Sequence, residues 1–315
     1  MTQPYLFHKP AAVRDGLVES LGVGLVAAEG YVHKRQKKLL TPIFGMNRNR
    51  RLVPQMWAKA LILANKIQEL VAESGSESEV LNMHPLTMAA TLDVIGVTTL
   101  GVDFDSVTYP DQPILQAYQR VFPSFENQSA VDKFFGATLP AIISPHLLFK
   151  LPFKPIREFH RGMDLLQKFC LAQIRQKRQE IEEDEIDTFP AMMREAAQDT
   201  TVGDLHIPKG KQIMVSPYAV NRSQELWGDD AEDFKVERWE DSYSGGAKTS
   251  QAFLTFSSGP RICIGKDFAT LSLKVFLTVL VSRFRFEEAI AGWHPVIQKG
   301  TSLKPQGLKV KVSLL

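Results

Sequence analysis

Phe256-Ser257-Ser258-Gly259-Pro260-Arg261-Ile262-Cys263-Ile264-Gly265 is the stretch on which the reading of this chain turns. An aromatic residue, two glycines, an arginine and a cysteine stand at fixed offsets, directly before an apolar run over 266–282 that reads as a long helix. A thiolate ligand to iron is served by this combination of residue types. Gly259 and Gly265 let backbone approach a flat macrocycle and turn amides toward sulfur. A helix that begins just after Cys263 brings its positive end toward the sulfur and favours the thiolate form. Arg261 can reach a carboxylate on the edge of such a cofactor, and the Phe256 ring can screen the sulfur from water. An isolated cysteine is most often a small buried hydrophobe. The company Cys263 keeps sets it apart.

The rest of the chain fits an ordinary globular protein. Its 315 residues suffice for one large domain or two ordinary ones, and 44% hydrophobic with 23% charged content is typical of soluble proteins. A net charge of +2 gives no field that points to nucleic acid. Two cysteines, Cys170 and Cys263, exclude a disulfide framework and suggest a reducing, intracellular compartment. No secretory signal is visible, and no run of eighteen apolar residues predicts a transmembrane anchor.

Upstream, residues 15–30 read as a short helix and a glycine-rich loop. His33-Lys34-Arg35-Gln36-Lys37-Lys38 lies on a basic helix ended by Pro42. Leu52, Met56, Ala60, Leu63, Ile67, Leu70 and Val71 recur every three or four positions, which predicts a core-packing helix over 50–73. Helices are also predicted over 84–101, 111–122, 130–143 and 155–183. From Phe189 the texture changes: Arg194-Glu195-Ala196 is followed by short alternating strands around Val202 and Leu205 and then a turn at Ile207-Pro208-Lys209-Gly210. A closing β-hairpin is predicted around Pro305-Gln306-Gly307.

The Phe-x-x-Gly-x-Arg-x-Cys-x-Gly loop resembles the haem-binding loop of the cytochrome P450 family. The likeness runs from Phe189 to the end, with a weaker block over about Glu29 to Ile181. It implies a mainly α fold with small β-sheets, the cytochrome P450 fold in incomplete form, as a single domain over 1–315. Residues 1–188 would form the helical part, and 189–315 the small sheets, the cysteine loop and the following helix. By the same resemblance the cofactor is haem (iron protoporphyrin IX). Cys263 is its axial metal ligand, and Arg261, Arg194, Lys37 and His33 stand where the family contacts haem propionates or the haem edge. Phe256, Gly259 and Gly265 complete the cofactor-binding set. No residue is assigned a catalytic role.

The implied function is a haem-thiolate monooxygenase that inserts one atom of dioxygen into an apolar small molecule, with electrons from a nicotinamide-dependent reductase. Fatty acids, sterols, xenobiotics and secondary metabolites all remain open as substrates. Full-length eukaryotic relatives sit at the endoplasmic reticulum membrane. The anchor and first region that precede the matched part in those relatives are not expected here, and membrane contact is left open.

Two family features have no counterpart. The Glu-x-x-Arg pair would fall at Ile181 and Asp184, whereas the string Glu158-Phe159-His160-Arg161 lies too far upstream, so Arg238 is expected to lack its usual partner. The nearest string to the oxygen-activating helix, Gly96-Val97-Thr98-Thr99, lacks the acid. Between Glu183 and Phe189 the chain passes from one family segment to a much later one. The alternative function is therefore a catalytically inactive truncated member with weak or no haem binding.

Overall fold

A computed structural model describes residues 6–121, 153–177, 192–240, 242, 244–249, 251–292, 296–298 and 304–315. The helix expected over 130–143 and the junction from Glu183 to Phe189 lie outside the described residues. In chain order the elements are β1 (Phe7–His8), α1 (Ala11–Leu21), α2 (Gly30–Leu40), α3 (Met46–Glu73), β2 (Ser78–Asn82), α4 (Met83–Ile95), α5 (Pro113–Val121) and α6 (Lys154–Lys177). After these come β3 (Met192–Ala196), β4 (Thr200–Val202), β5 (Leu205–Ile207), β6 (Gln212–Val215), α7 (Pro217–Val220) and α8 (Gln224–Trp227). The last are α9 (Lys266–Val281), β7 (Phe284–Glu288), β8 (Val296–Gln298), β9 (Lys304–Gln306) and β10 (Lys309–Leu314). The described residues are mainly helical with small antiparallel sheets, as the sequence predicts.

Compactness does not follow chain order. One unit joins Met1–Thr41 to Glu185–Lys266, and the other joins Pro42–Asp184 to Asp267–Leu315.

The second unit holds the large apolar core. Met56, Ala60, Leu63, Ile67 and Val71 of α3 form its buried stripe, at the predicted spacing. Val94 of α4, Leu115 of α5, Val279 of α9 and Val312 of β10 close on it. On α9, Val275, Val279 and Leu280 are buried, while Leu273, Leu277 and Val281 form an exposed stripe. After α4 the chain loosens into a π-helical turn over Gly96–Leu100 that ends at left-handed Gly101. Asp93, wholly buried, accepts hydrogen bonds from the Ser106 and Val107 amides and fixes the return of that loop.

One expectation fails here. Pro305-Gln306-Gly307 does not form a hairpin, because β9 and β10 do not pair with each other. β9 pairs with β8, and β10 lies between β2 and β7, antiparallel to both. Val312 is the centre of that sheet and is fully buried, so core burial sets the pairing in place of the local turn.

The first unit is built on a sheet of order β1-β3-β6. Phe7 pairs with Ala196 and His8 with Glu195, so the next residue, Lys9, emerges beside Arg194. The strand β3 lies in the middle of this sheet, upstream of the strands expected around Val202 and Leu205. The β4–β5 hairpin turns at Gly203, whose φ of 58° favours glycine.

Candidate functional site

The cysteine loop is held by its own backbone. The Cys263 amide donates to the Phe256 carbonyl (2.8 Å), the Ser257 amide to Leu254 (2.9 Å) and the Ile262 amide to Gly259 (3.0 Å). A short 3₁₀ turn over Gly259–Arg261 presents Arg261 and then Cys263. Gly259 has φ 68°, and a Cβ there would meet nothing within 4 Å, so open space lies over this turn. Ser257 also takes a left-handed conformation, at φ 62°, at a cost of about 1 kcal/mol for a residue other than glycine. The Lys266 amide donates to the Cys263 carbonyl (3.3 Å), which starts α9 three residues after the sulfur. Cys263 is half-buried and a free thiol.

Side chains clamp the approach to this loop. Asn221 accepts from the Leu254 amide (2.7 Å) and donates to the Thr255 hydroxyl (2.9 Å). A file of aromatic rings, Trp227, Trp239, Phe253 and Phe256, runs toward it with centroids 6.1, 6.1 and 6.5 Å apart. Arg238, expected to lack a partner, has three: it donates to the Trp227 carbonyl (3.1 Å) and the Asp230 carbonyl and pairs with the Asp230 carboxylate. Lys235 and Arg238 together hold Asp230 down at about 2. The Glu158-x-x-Arg161 string is a surface pair on α6 in the other unit (2.7 Å). Gly96–Thr99 lies in the π-helical turn, where Thr98 donates back to the Val94 carbonyl.

The predicted cofactor-edge residues come together in the first unit. Arg261, 11% exposed, pairs with the Glu29 carboxylate and donates to the Ala28 carbonyl (3.0 Å). Lys37 reaches from α2 to the Pro260 carbonyl (2.6 Å) and so ties the basic helix to the cysteine loop. His33, nearly fully buried, is pushed down to about 4, first by burial and then by Arg261, Lys37 and Lys9. Its imidazole is therefore neutral at neutral pH and offers hydrogen bonding without charge. Arg194 projects from β3, donates to the Met193 carbonyl (2.8 Å), and is lowered by burial, with Glu29 raising it and Arg261 lowering it again.

Two members were missed by sequence reasoning. Lys9, 8% exposed, donates from both its amide (3.2 Å) and its ammonium (2.8 Å) to Glu29. Glu29, at the N-cap of α2, makes no capping bond with its side chain. Its carboxylate turns to Lys9 and Arg261, which hold it below the ordinary carboxylate range against the upward push of burial. Burial lowers Lys9 and Lys37 as well. A glutamate directly before a basic helix was the available signal for Glu29. Lys9 had none.

The chemistry of this donor set fits a haem. A lone thiolate is too few donors for a bare metal ion, but suffices where a macrocycle supplies the equatorial ones. Lys9, Arg194 and Arg261 share the field of one carboxylate, Glu29, and Lys37 adds a further positive charge beside Arg261, an excess that suits a ligand carrying carboxylates at its edge. The open cleft lined by Pro42, Gly45, Met46, Asn47, Arg48 and Arg51 belongs to the other unit and contains none of these residues. Among the described residues no helix is long and apolar enough to cross a membrane.

A family model described as Cytochrome P450 matches residues 4–191 and 186–312. The two matches overlap over residues 186–191. The chain is 24% identical to the cytochrome P450 monooxygenase sphH of Aspergillus fumigatus, across 97% of this chain and 75% of that protein. It is 26% identical to the cytochrome P450 monooxygenase ptmK of Penicillium ochrochloron, across 98% and 80%. Cytochrome P450 714A2 of Arabidopsis thaliana is 42% identical over a shorter stretch, 31% of this chain and 18% of that one. The sphH alignment spans 408 positions against 315 residues here, so that relative carries residues with no counterpart in this chain.

Proposed function

The chain belongs to the cytochrome P450 family of monooxygenases, and on that premise we propose that it holds haem through Cys263 and oxidises an apolar small molecule. Bound there, thiolate-ligated haem supplies dioxygen activation, which places one oxygen atom in the substrate and releases the other as water. The residues of the chain bind and orient. Cys263 offers sulfur from a loop closed by the Phe256 carbonyl. Arg261, Arg194 and Lys37 meet the carboxylate edge, and neutral His33 adds a hydrogen bond without further charge. The proposed electron donor is a nicotinamide-dependent reductase, and the proposed setting of the complete system is the endoplasmic reticulum surface.

The observation that carries this reading is the Lys37–Pro260 hydrogen bond beside the Arg261–Glu29 pair. It gathers the predicted edge cations around the turn that presents Cys263. The test is spectroscopic. The purified chain is reconstituted with haemin, reduced and exposed to carbon monoxide. A red-shifted thiolate Soret band that is lost in Cys263→Ala is expected, and its absence in the wild-type chain overturns haem-thiolate ligation. Turnover with a reductase then separates an oxygenase from a chain that binds haem without activity.

A further inference from the structure

Glu29 is an odd residue to find among the cations that a cofactor edge requires. Its carboxylate leaves the amide end of its own helix, where it would be favoured, and bridges Lys9 and Arg261. Both partners are nearly buried, at 8% and 11% exposure, so neither is adequately compensated by water alone. Arg194 and His33 also lie within its field. The carboxylate thus stands on the arginine proposed to receive an external carboxylate.

We propose that Glu29 is a displaceable internal counter-ion: it neutralises Arg261 and Lys9 until a carboxylate-bearing ligand takes its place, and so sets the affinity of this cluster for acidic ligands. The proposal rests on the haem reading for the identity of the natural ligand, but not for the behaviour of Glu29. Removing the charge leaves Arg261 and Lys9 poorly compensated in the free protein, which raises its free energy. It also removes repulsion between Glu29 and an incoming carboxylate. Both effects favour binding.

The test compares the wild-type chain with Glu29→Gln, nearly isosteric and neutral. In haemin titrations followed by absorbance and tryptophan quenching, the Gln variant is expected to bind about tenfold tighter. With haemin dimethyl ester, which lacks the free carboxylates, the two proteins are expected to bind equally. Equal or weaker haemin binding by Glu29→Gln makes Glu29 a support for Arg261 and overturns the proposal. An equal gain with the ester overturns it too. A second arm needs no haem: thermal melts in sodium succinate against sodium chloride of equal ionic strength. Glu29→Gln is expected to melt below wild type in chloride and to gain more from succinate, and equal gains overturn the proposal. Failure of the thiolate band with the succinate difference intact sinks the haem reading alone. Should Glu29→Gln not fold, Glu29→Gln with Lys9→Met restores the charge balance and is compared with Lys9→Met. The extra neutralisation is then expected to tighten haemin but not the ester, and no such difference counts against the proposal.

Discussion

The Arg261 guanidinium and the Glu29 carboxylate pair across 232 positions of sequence and bring the cysteine loop against the start of the basic helix. Arg261 adds a hydrogen bond to the Ala28 carbonyl, so one side chain grips two consecutive residues ahead of α2. Removing it leaves Glu29 with its Lys9 ion pair and the weaker field of Arg194.

Arg261→Ala is accordingly expected to destabilise the chain by about 2 kcal/mol, the scale of a lost part-buried charged hydrogen bond. Arg261→Lys keeps the charge but lacks the planar fork that serves both acceptors, and is expected to recover only part of the loss. Urea denaturation followed by tryptophan emission measures both. An unchanged midpoint in Arg261→Ala would show that the pair contributes nothing to the fold.

His33 gives a pH dependence with a definite sign. Burial and neighbouring cations depress it from 6.5 to about 4, so the folded state binds fewer protons than the unfolded chain between those values. Its contribution to stability is complete above pH 6.5, falls as the pH drops below 6.5, and is gone by about pH 4. Up to about 3 kcal/mol is involved. Chemical denaturation at several pH values should show this slope in the wild-type chain and a flatter one in His33→Gln. Parallel slopes would place the titration elsewhere.

The helices were legible because their information is local. The three- and four-residue spacing along α3 marks the face that the structure buries, at Met56, Ala60, Leu63 and Ile67. The cysteine loop was legible because its residues are consecutive. What could not be read depends on distant partners. Nothing near Val312 announces that β10 will pair with Glu79 on one side and Phe286 on the other. Lys9 carries no pattern at all, since a two-strand register places it beside Arg194. Arg238 fails differently: the partner sought for it lay far upstream in family terms, whereas Asp230, eight residues away, satisfies it through a tight turn.

Asn221 is expected to be a positioning residue for the cysteine loop. It holds the segment before Phe256 by two hydrogen bonds, and Phe256 in turn accepts from the Cys263 amide. Asn221→Ala should cost about 1–2 kcal/mol and speed hydrogen exchange at the Leu254 amide. Asn221→Asp retains the acceptor for that amide but loses the donor to Thr255, so Leu254 should remain protected. Equal exchange in the Ala variant and wild type would detach Asn221 from the loop.

Gly96 tests the other unit independently. It opens the π-helical turn, and its carbonyl accepts from the Val102 amide (2.9 Å) as the chain doubles back. A Cβ at Gly96 would stand 2.6 Å from the Phe104 ring and from the Val102 carbonyl oxygen. The ring is buried and meets Phe169 edge-to-face at 5.4 Å, so it has little freedom to withdraw, and backbone cannot yield without breaking the turn. Gly96→Ala should therefore destabilise by about 2–3 kcal/mol through overpacking. Phe104→Leu in the same chain removes part of the clash, so the double variant should lose about 1 kcal/mol less than the sum of the singles. Strict additivity would mean that the backbone contact with Val102 carries the whole penalty. A Gly96→Ala midpoint equal to wild type would show that the turn has room the packing does not provide.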